Sequence, residues 1–450
     1  MKQRKSAPIL TTLVALLVVA AAVALGWRLV RGDNSLLRNV SLSAPRITPN
    51  ADGDTDAVLI QYELSRNAVV SITFQDADGQ MYLFRDERVR GAGEYSVYFS
   101  GVVAGYTLPD EVAQGQILTR LLRDGVYTWR IAATDMRGQV ETQTGSLEIA
   151  DADTALPEMR AFELDRALFT PNQDGIDDRV QIQFVLQKQA DVRVFLQTAE
   201  GGEIPIGELE RNVPAGMPGR HVYDYEGGVD NGETPPPDGT YLIVGLAQDA
   251  EGQQMRVEQP LTIRYGGVPR ADIVAPPVGH QLQFNATAVA LCDTLYFTLT
   301  VENYGTTPIR TTGPDSGTVY DSEWNYNTLG WFTESGAWRV AIGYENQLSD
   351  YPYRWAVGGT DALETIDGYP YLMPGQRAVV TGGIRMTGPL GQRNPQPMWA
   401  GLIHEDVEIS EFNNRVDTQA ILIDLPDPEH REPCAPRDVP HKVEPAATIP

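Results

Sequence analysis

Residues 48–56 read TPNADGDTD, and residues 170–178 read TPNQDGIDD. Asn50, Asp52, Asp54 and Asp56 in the first stretch, and Asn172, Asp174, Asp177 and Asp178 in the second, gather side-chain oxygens within a few residues. Calcium takes roughly six to eight such oxygens, so these side chains are the candidate metal ligands, and a structural calcium is the one cofactor the sequence suggests. The spacing is not that of an EF-hand. Gly53 is fourth in the loop rather than sixth, and Gln61 stands where the bidentate Glu belongs. The second stretch also has Ile176 where the first has Asp54. A structural turn explains the same residues: Pro sets φ, Asn and Asp bond nearby backbone, and Gly supplies a positive φ at the entry to a strand. Both readings stay open at this point. Paired catalytic carboxylates need a cleft between them, which a domain-entry loop does not offer.

A second chemistry is suggested between Tyr320 and Tyr371, where 12 of 52 residues are aromatic against 8% for the whole chain. Trp324, Tyr326, Trp331, Trp338, Tyr353 and Trp355 stand there among Asn, Asp and Glu. Aromatic rings beside such polar groups suit a carbohydrate, whose CH groups pack on the rings while its hydroxyls bond the polar side chains. The competing reading is a core with few Leu and Ile. Trp338 and Trp355 sit in strand-like runs that must bury one face.

No enzyme signature accompanies either feature. His221, His280, His404, His430 and His441 are scattered without metal-ligand spacing, and no nucleophile elbow, dinucleotide fingerprint or phosphate-binding glycine loop is present. GPDSGT (313–318) lacks the Lys and the strand-to-helix context of a phosphate loop, so it reads as a turn. Acidic residues outnumber basic ones 60 to 35, for a net charge of −25. A field of that sign repels nucleic acid and anionic lipid headgroups.

The N-terminus carries Lys2, Arg4 and Lys5, then an uncharged run from Ser6 to Trp27, then Arg28 and Arg31. A helix over 7–27 is about 32 Å long at ~1.5 Å per residue, enough to span the hydrocarbon core of a bilayer. The sequence therefore predicts a cytoplasmic stub over 1–6, a signal anchor over 7–27, and everything beyond outside the cytoplasm in the cell envelope. A cleaved signal peptide is the competing reading. In that compartment Cys292 and Cys434, the two cysteines of the chain, are expected to form one disulfide.

The elements that hold these residues repeat. Residues 48–79 align without gaps on 170–201, with 15 of 32 positions identical, and the match resumes between 123–139 and 237–253. Two homologous domains follow. Inside each copy apolar residues alternate, as in Val58, Ile60, Tyr62, Leu64 and in Val180, Ile182, Phe184, Leu186. That is the period of half-buried strands. No useful helical period appears, apart from one turn within DEVAQGQILTRLL (110–122). Many short strands with regular turn signals predict antiparallel sandwiches.

The order TPN-x-DG-x-x-D, two alternating strands, DG-x-Y and a D-x-x-G turn resembles the FlgD-type immunoglobulin-like domain of bacterial surface and secreted proteins. The resemblance covers residues 36–150 and 156–265, and it implies spacer or adhesion modules rather than enzymes. The first copy departs from the pattern at SGVVAGYTLPDEVAQGQILTRLL (100–122), where something particular to that domain is expected. Over 270–427, the VENYG strand and the late EFNN segment with Asn413 and Asn414 resemble a CARDB-type cell-adhesion-related domain. The tail 428–450 is Pro-rich and reads as extended or disordered beyond Cys434. The expectation is an all-β chain of three consecutive immunoglobulin-like sandwiches after one transmembrane helix, with no catalytic residues. It would act in adhesion or ligand presentation, toward a surface protein or a polysaccharide. The alternative is a carbohydrate-binding protein that uses the third-domain aromatics.

Overall fold

The computed structural model describes residues 18–21, 35–109, 111–209, 213–427, 429 and 432–442. Residues 18–21 are helical, and the rest of the anchor expected over 7–27 lies outside the described residues. Among the described residues no helix is long and apolar enough to cross a membrane.

Among the described residues three large hydrophobic cores follow one another, with two small clusters beside them. The first lies between a three-stranded sheet (Leu37–Leu42, Val58–Leu64, Gly93–Phe99) and a five-stranded one (Arg46–Ile47, Val140–Ile149, Gly125–Asp135, Ala68–Gln75, Met81–Arg90). The alternation read from sequence sets its inner face: Val58, Ile60, Tyr62 and Leu64 are all buried. The second core repeats the plan, with Val180, Ile182, Phe184 and Leu186 in the same role. The third is the largest and lies among three sheets, two of five strands and one of three.

The first two sandwiches are not separate bodies joined by a tether. The departure at 100–122 forms two strands, Val102–Ala104 and Gln116–Leu121, which continue the sheet of the second domain while Val103 and Leu122 stay packed in the core of the first. Gln116–Leu121 pairs antiparallel with Gln254–Ile263, so one seven-stranded sheet crosses the boundary. The helical turn expected within 110–122 is thus replaced by strand from Gln116 onward, because an unpaired sheet edge next door accepts it. Gly115 makes the approach feasible: its φ is +109°, and a Cβ there would lie 2.5 Å from the Arg256 carbonyl oxygen.

Gln253 locks this junction. Fully buried, it accepts from the Leu121 amide at 3.2 Å and donates to the carbonyls of Asp153 and Ala155 at 3.0 and 2.9 Å. Beside it Lys188 pairs with Asp153, Asp249 and Glu251 at 2.8–3.0 Å. One glutamine therefore ties together the insertion, the linker and the second sandwich.

In the third domain the expected disulfide between Cys292 and Cys434 is present. It holds a tail that is extended, as expected, but anchored. Arg385 donates to the Ala435 carbonyl, the Lys442 amide donates to the Leu329 carbonyl at 2.9 Å, and Val439 packs on the core.

Truncating Gln253 to Ala leaves buried backbone groups on both sides of the junction without partners. It should destabilise the first two domains by about 2–3 kcal/mol, read as a shift of the urea midpoint. An unchanged midpoint would show that the junction contributes little.

Candidate ligand and metal sites

Two carboxylates of the first acidic loop, those of Asp52 and Asp56, bond its own backbone. Asp56 accepts from the amides of Asn50, Ala51 and Gly53 at 2.8–3.2 Å, Asp52 from that of Asp54 at 2.8 Å, and Asn50 Oδ1 from that of Asp52 at 3.0 Å. Ala51, Gly53 and Thr55 all have positive φ, and these side-chain bonds hold the residues there. The loop is exposed around Asp52 and Asp54. Among the described residues no three His, Cys, Asp or Glu side chains form a ligand set for a metal.

The second loop has the same backbone turn, with Gln173, Gly175 and Asp177 at positive φ, but its surroundings differ. It is seated in the third domain. Tyr371 donates to Asp174 Oδ2 at 2.7 Å, Arg310 Nε donates to the Asp174 carbonyl at 2.7 Å, and His404 Nε2 donates to the Gln173 carbonyl at 2.7 Å. The backbones nearly touch. A Cβ on Gly175 would lie 2.2 Å from the Ser335 oxygen, and one on Gly336 would lie 2.1 Å from the Asp174 carbonyl carbon.

Burial shifts the titrating groups of this contact. Desolvation, followed by the charge of Asp174, raises Asp178 to about 7. Desolvation lowers His404 to about 4, against a bond to the Gln173 carbonyl that raises it. The imidazole is therefore neutral at neutral pH and stacks on Trp338 at 4.4 Å between centroids. Nothing local in the sequence marks Arg310, Tyr371 and His404 as partners of this loop. They are 136, 197 and 231 residues from the atoms they bond.

The aromatic cluster is placed differently from the carbohydrate-facing expectation. Trp338, Tyr353 and Trp355 are core residues, at 5%, 0% and 0% exposure. Trp355 packs edge-on against Phe297 and Tyr320, and its Nε1 donates to the Thr318 carbonyl at 2.9 Å. Tyr353 donates its hydroxyl to the Ser322 carbonyl at 2.7 Å. Their strands are covered on both faces, so alternation leaves no solvent side: Trp338–Tyr344 is buried at six of its seven positions. Trp324, Tyr326 and Trp331 are half-buried. The Arg354 guanidinium lies 4.1 Å over the Tyr326 ring, and Lys442 of the tail lies 4.5 Å over Trp331. Trp338, Tyr353 and Trp355 therefore present no ring face to a sugar.

Beneath them lies an ionic cluster that sequence reasoning missed. Arg354 Nη1 reaches Glu405 at 2.7 and 2.8 Å, and Arg339 Nη1 reaches it at 3.1 Å, all three residues being buried. Buried charge of this kind persists when both partners are present and is costly to break. Arg339 and Arg354 lie amid apolar strand residues, the one local sign that something inside must pair with them.

No protein-family model and no curated protein sequence matches the chain. Among solved structures, a calcium-stabilised adhesin with which an Antarctic bacterium binds ice is 14% identical, with 79% of this chain and 75% of that chain covered and a TM-score of 0.22. A tetra-tandem repeat from the extending region of a large adhesion protein is 12% identical over 81% of each chain, with a TM-score of 0.16. A Bacteroides ovatus protein of a mixed-linkage glucan utilization locus, solved with a heptasaccharide, is 11% identical over 86% of this chain and 70% of that one, with a TM-score of 0.14. At these TM-scores none of the three bears on what the chain does.

Because the folded pKa of His404 lies below the ordinary 6.5, the unfolded chain binds more protons there between about pH 4 and 6.5. Its contribution is complete above pH 6.5 and is lost as pH falls toward 4. A His404→Gln variant should therefore melt below wild type at pH 7.5, with the gap narrowing by pH 4.5 in differential scanning calorimetry. A gap independent of pH would remove His404 from the acid response.

Proposed function

We propose that the chain is a membrane-anchored, outward-facing protein of three immunoglobulin-like sandwiches, working without catalysis as an adhesion or ligand-presenting stalk. The observation that carries this reading is the seven-stranded sheet shared by the first two domains. Domains that merely follow one another need only a linker, whereas a backbone ladder across the boundary fixes their relative orientation. The seating of the second loop under Arg310, Tyr371 and His404 supports the same rigidity at the next boundary. The disulfide favours an oxidising compartment. The apolar run before residue 28 and the resemblance to FlgD-type and CARDB-type modules agree with an anchored surface protein.

The test is a distance. Spin labels at the exposed Val126 of the first domain and Val379 of the third should give one narrow distribution in pulsed dipolar spectroscopy. A broad or multimodal distribution overturns the stalk.

A structural calcium in the second loop is favoured by one observation. Asn172 Oδ1 and Asp178 Oδ1 are buried there without hydrogen-bond partners, which is how oxygens intended for a cation would look. Millimolar calcium, but not magnesium, should then raise the melting temperature, and Asp178→Asn should abolish the shift. Equal shifts with both ions, or none, would dismiss a specific site.

A further inference from the structure

The first sandwich is open along one side, between its edge strands Met81–Arg90 and Gly93–Phe99. The opening is a groove of about 620 Å³, floored by Val70 and Ile72 and walled by Tyr62, Tyr95 and Val97. Three arginines of one strand, Arg85, Arg88 and Arg90, line it as well.

Their placement requires a departure from regular strand geometry. Arg85, Arg88 and Arg90 stand opposite Ile72, Val70 and Ala68, whose side chains are buried. Directly opposed residues of an antiparallel pair share a face, so all three arginines occupy the inward face. In a regular strand Arg85 and Arg88, an odd number of residues apart, would point to opposite faces. The register shifts around Ser71 and Ile72 reverse that parity. Glu87 takes a φ of +38° to allow it, and its amide donates to Ser71 Oγ at 3.1 Å. A non-glycine residue at such a φ carries local strain.

The three charges outnumber the two carboxylates, Asp86 and Glu87, that line the groove with them. Among the described residues none of these arginines forms an ion pair, in a chain whose net charge is −25. Asp86 and Glu87 border the same groove, on the bulge. Burial, then Arg88 and Arg90, pull Arg85 below its ordinary range. Arg90 lies 5.2 Å over the Tyr95 ring, which is itself stacked on Tyr62 at 5.4 Å. Inward-pointing charge also guards an edge strand against pairing. That role needs charge of either sign, and Asp86 or Glu87 would serve it.

We propose that this groove binds an acidic polysaccharide, with Arg85, Arg88 and Arg90 pairing its carboxylate or sulfate groups while the half-buried side chains of Tyr95 and Val97 along the wall meet sugar CH groups. Arginine suits both anions because its planar fork bonds them bidentately. The bulge argues against an acidic peptide, since it breaks the regular ladder that an added strand would need along Met81–Arg90. Repulsion from the acidic remainder of the chain is screened within about 8 Å at physiological salt, so the local arginines decide.

The proposal rests on the outward-facing, ligand-presenting reading and adds to it the class of ligand. The full-length chain in neutral detergent is passed over immobilised polygalacturonate, heparin, a neutral glucan and poly-glutamate. Retention is expected on polygalacturonate, on heparin or on both, which separates carboxylate from sulfate recognition, and not on the glucan. Changing Arg85, Arg88 and Arg90 together to Gln should weaken it at least tenfold. The single exposed-site change Arg88→Glu should weaken it severalfold, and it stands as the deciding variant if the triple one melts early. Tyr95→Ala should weaken polysaccharide binding. Unchanged affinity in the arginine variants, or no retention on either acidic polysaccharide, overturns the site. Poly-glutamate held as tightly, with Tyr95→Ala without effect, overturns the polysaccharide in favour of a peptide. No retention together with a single narrow interdomain distance sinks the groove alone, whereas a broad distance distribution with retention sinks the stalk alone.

Discussion

Strand Gln254–Ile263 has a row of backbone N–H and C=O groups on its outer side, and two other segments take them up. Leu168–Phe169 pairs with its last residues, and Gln116–Leu121 of the preceding domain pairs with its first. Buried backbone polar groups must find partners, so the placement of the second sandwich depends on the first one supplying that strand. Gln253, Lys188 and the linker around Asp153 close over the junction. The linker is short and internally bonded, because the ladder beside it already fixes the geometry it spans.

The two acidic loops show how one local motif is put to different uses by what lies beyond it. Both make the same turn at the same end of their sandwich. The first is left exposed, since the insertion at 100–122 makes the contact to the next domain in its place. The second has no such insertion beside it and is itself the contact, pressed against Arg310, Tyr371 and His404. Ile176 in place of Asp54 removes a carboxylate from the copy that becomes buried. The carboxylates that remain there accept hydrogen bonds, Asp174 from the Tyr371 hydroxyl and the Ile176 amide, and Asp178 from the Gly175 amide.

Much of the fold was legible because strand alternation has a fixed period. Val58 to Leu64 and Val180 to Leu186 declare their inner faces residue by residue, and the duplication shows that the reading is not accidental. The pairing of Cys292 with Cys434 was legible from compartment and count. The aromatic cluster was not. Composition cannot tell a ring facing sugar from a ring facing core once a strand is covered on both sides, as Trp338–Tyr344 is. Arg339, Arg354 and Glu405 come together only through the third-domain sheets. The arginines of MYLFRDERVR were hidden for another reason: a bulge changes which residues share a face, and simple alternation assigns Arg85 and Arg88 to opposite sides.

The shared sheet bears on how the gene can be divided. The repeat places a boundary near residues 150–156, and a cut there looks harmless in sequence. It would instead leave Gln116–Leu121 paired only with Val102–Ala104, its other edge open, and leave the start of Gln254–Ile263 bare, giving two fragments that each present an open, partly apolar strand to any other chain nearby. The segment that evolves and duplicates as one domain is therefore smaller than the segment that can safely be made alone.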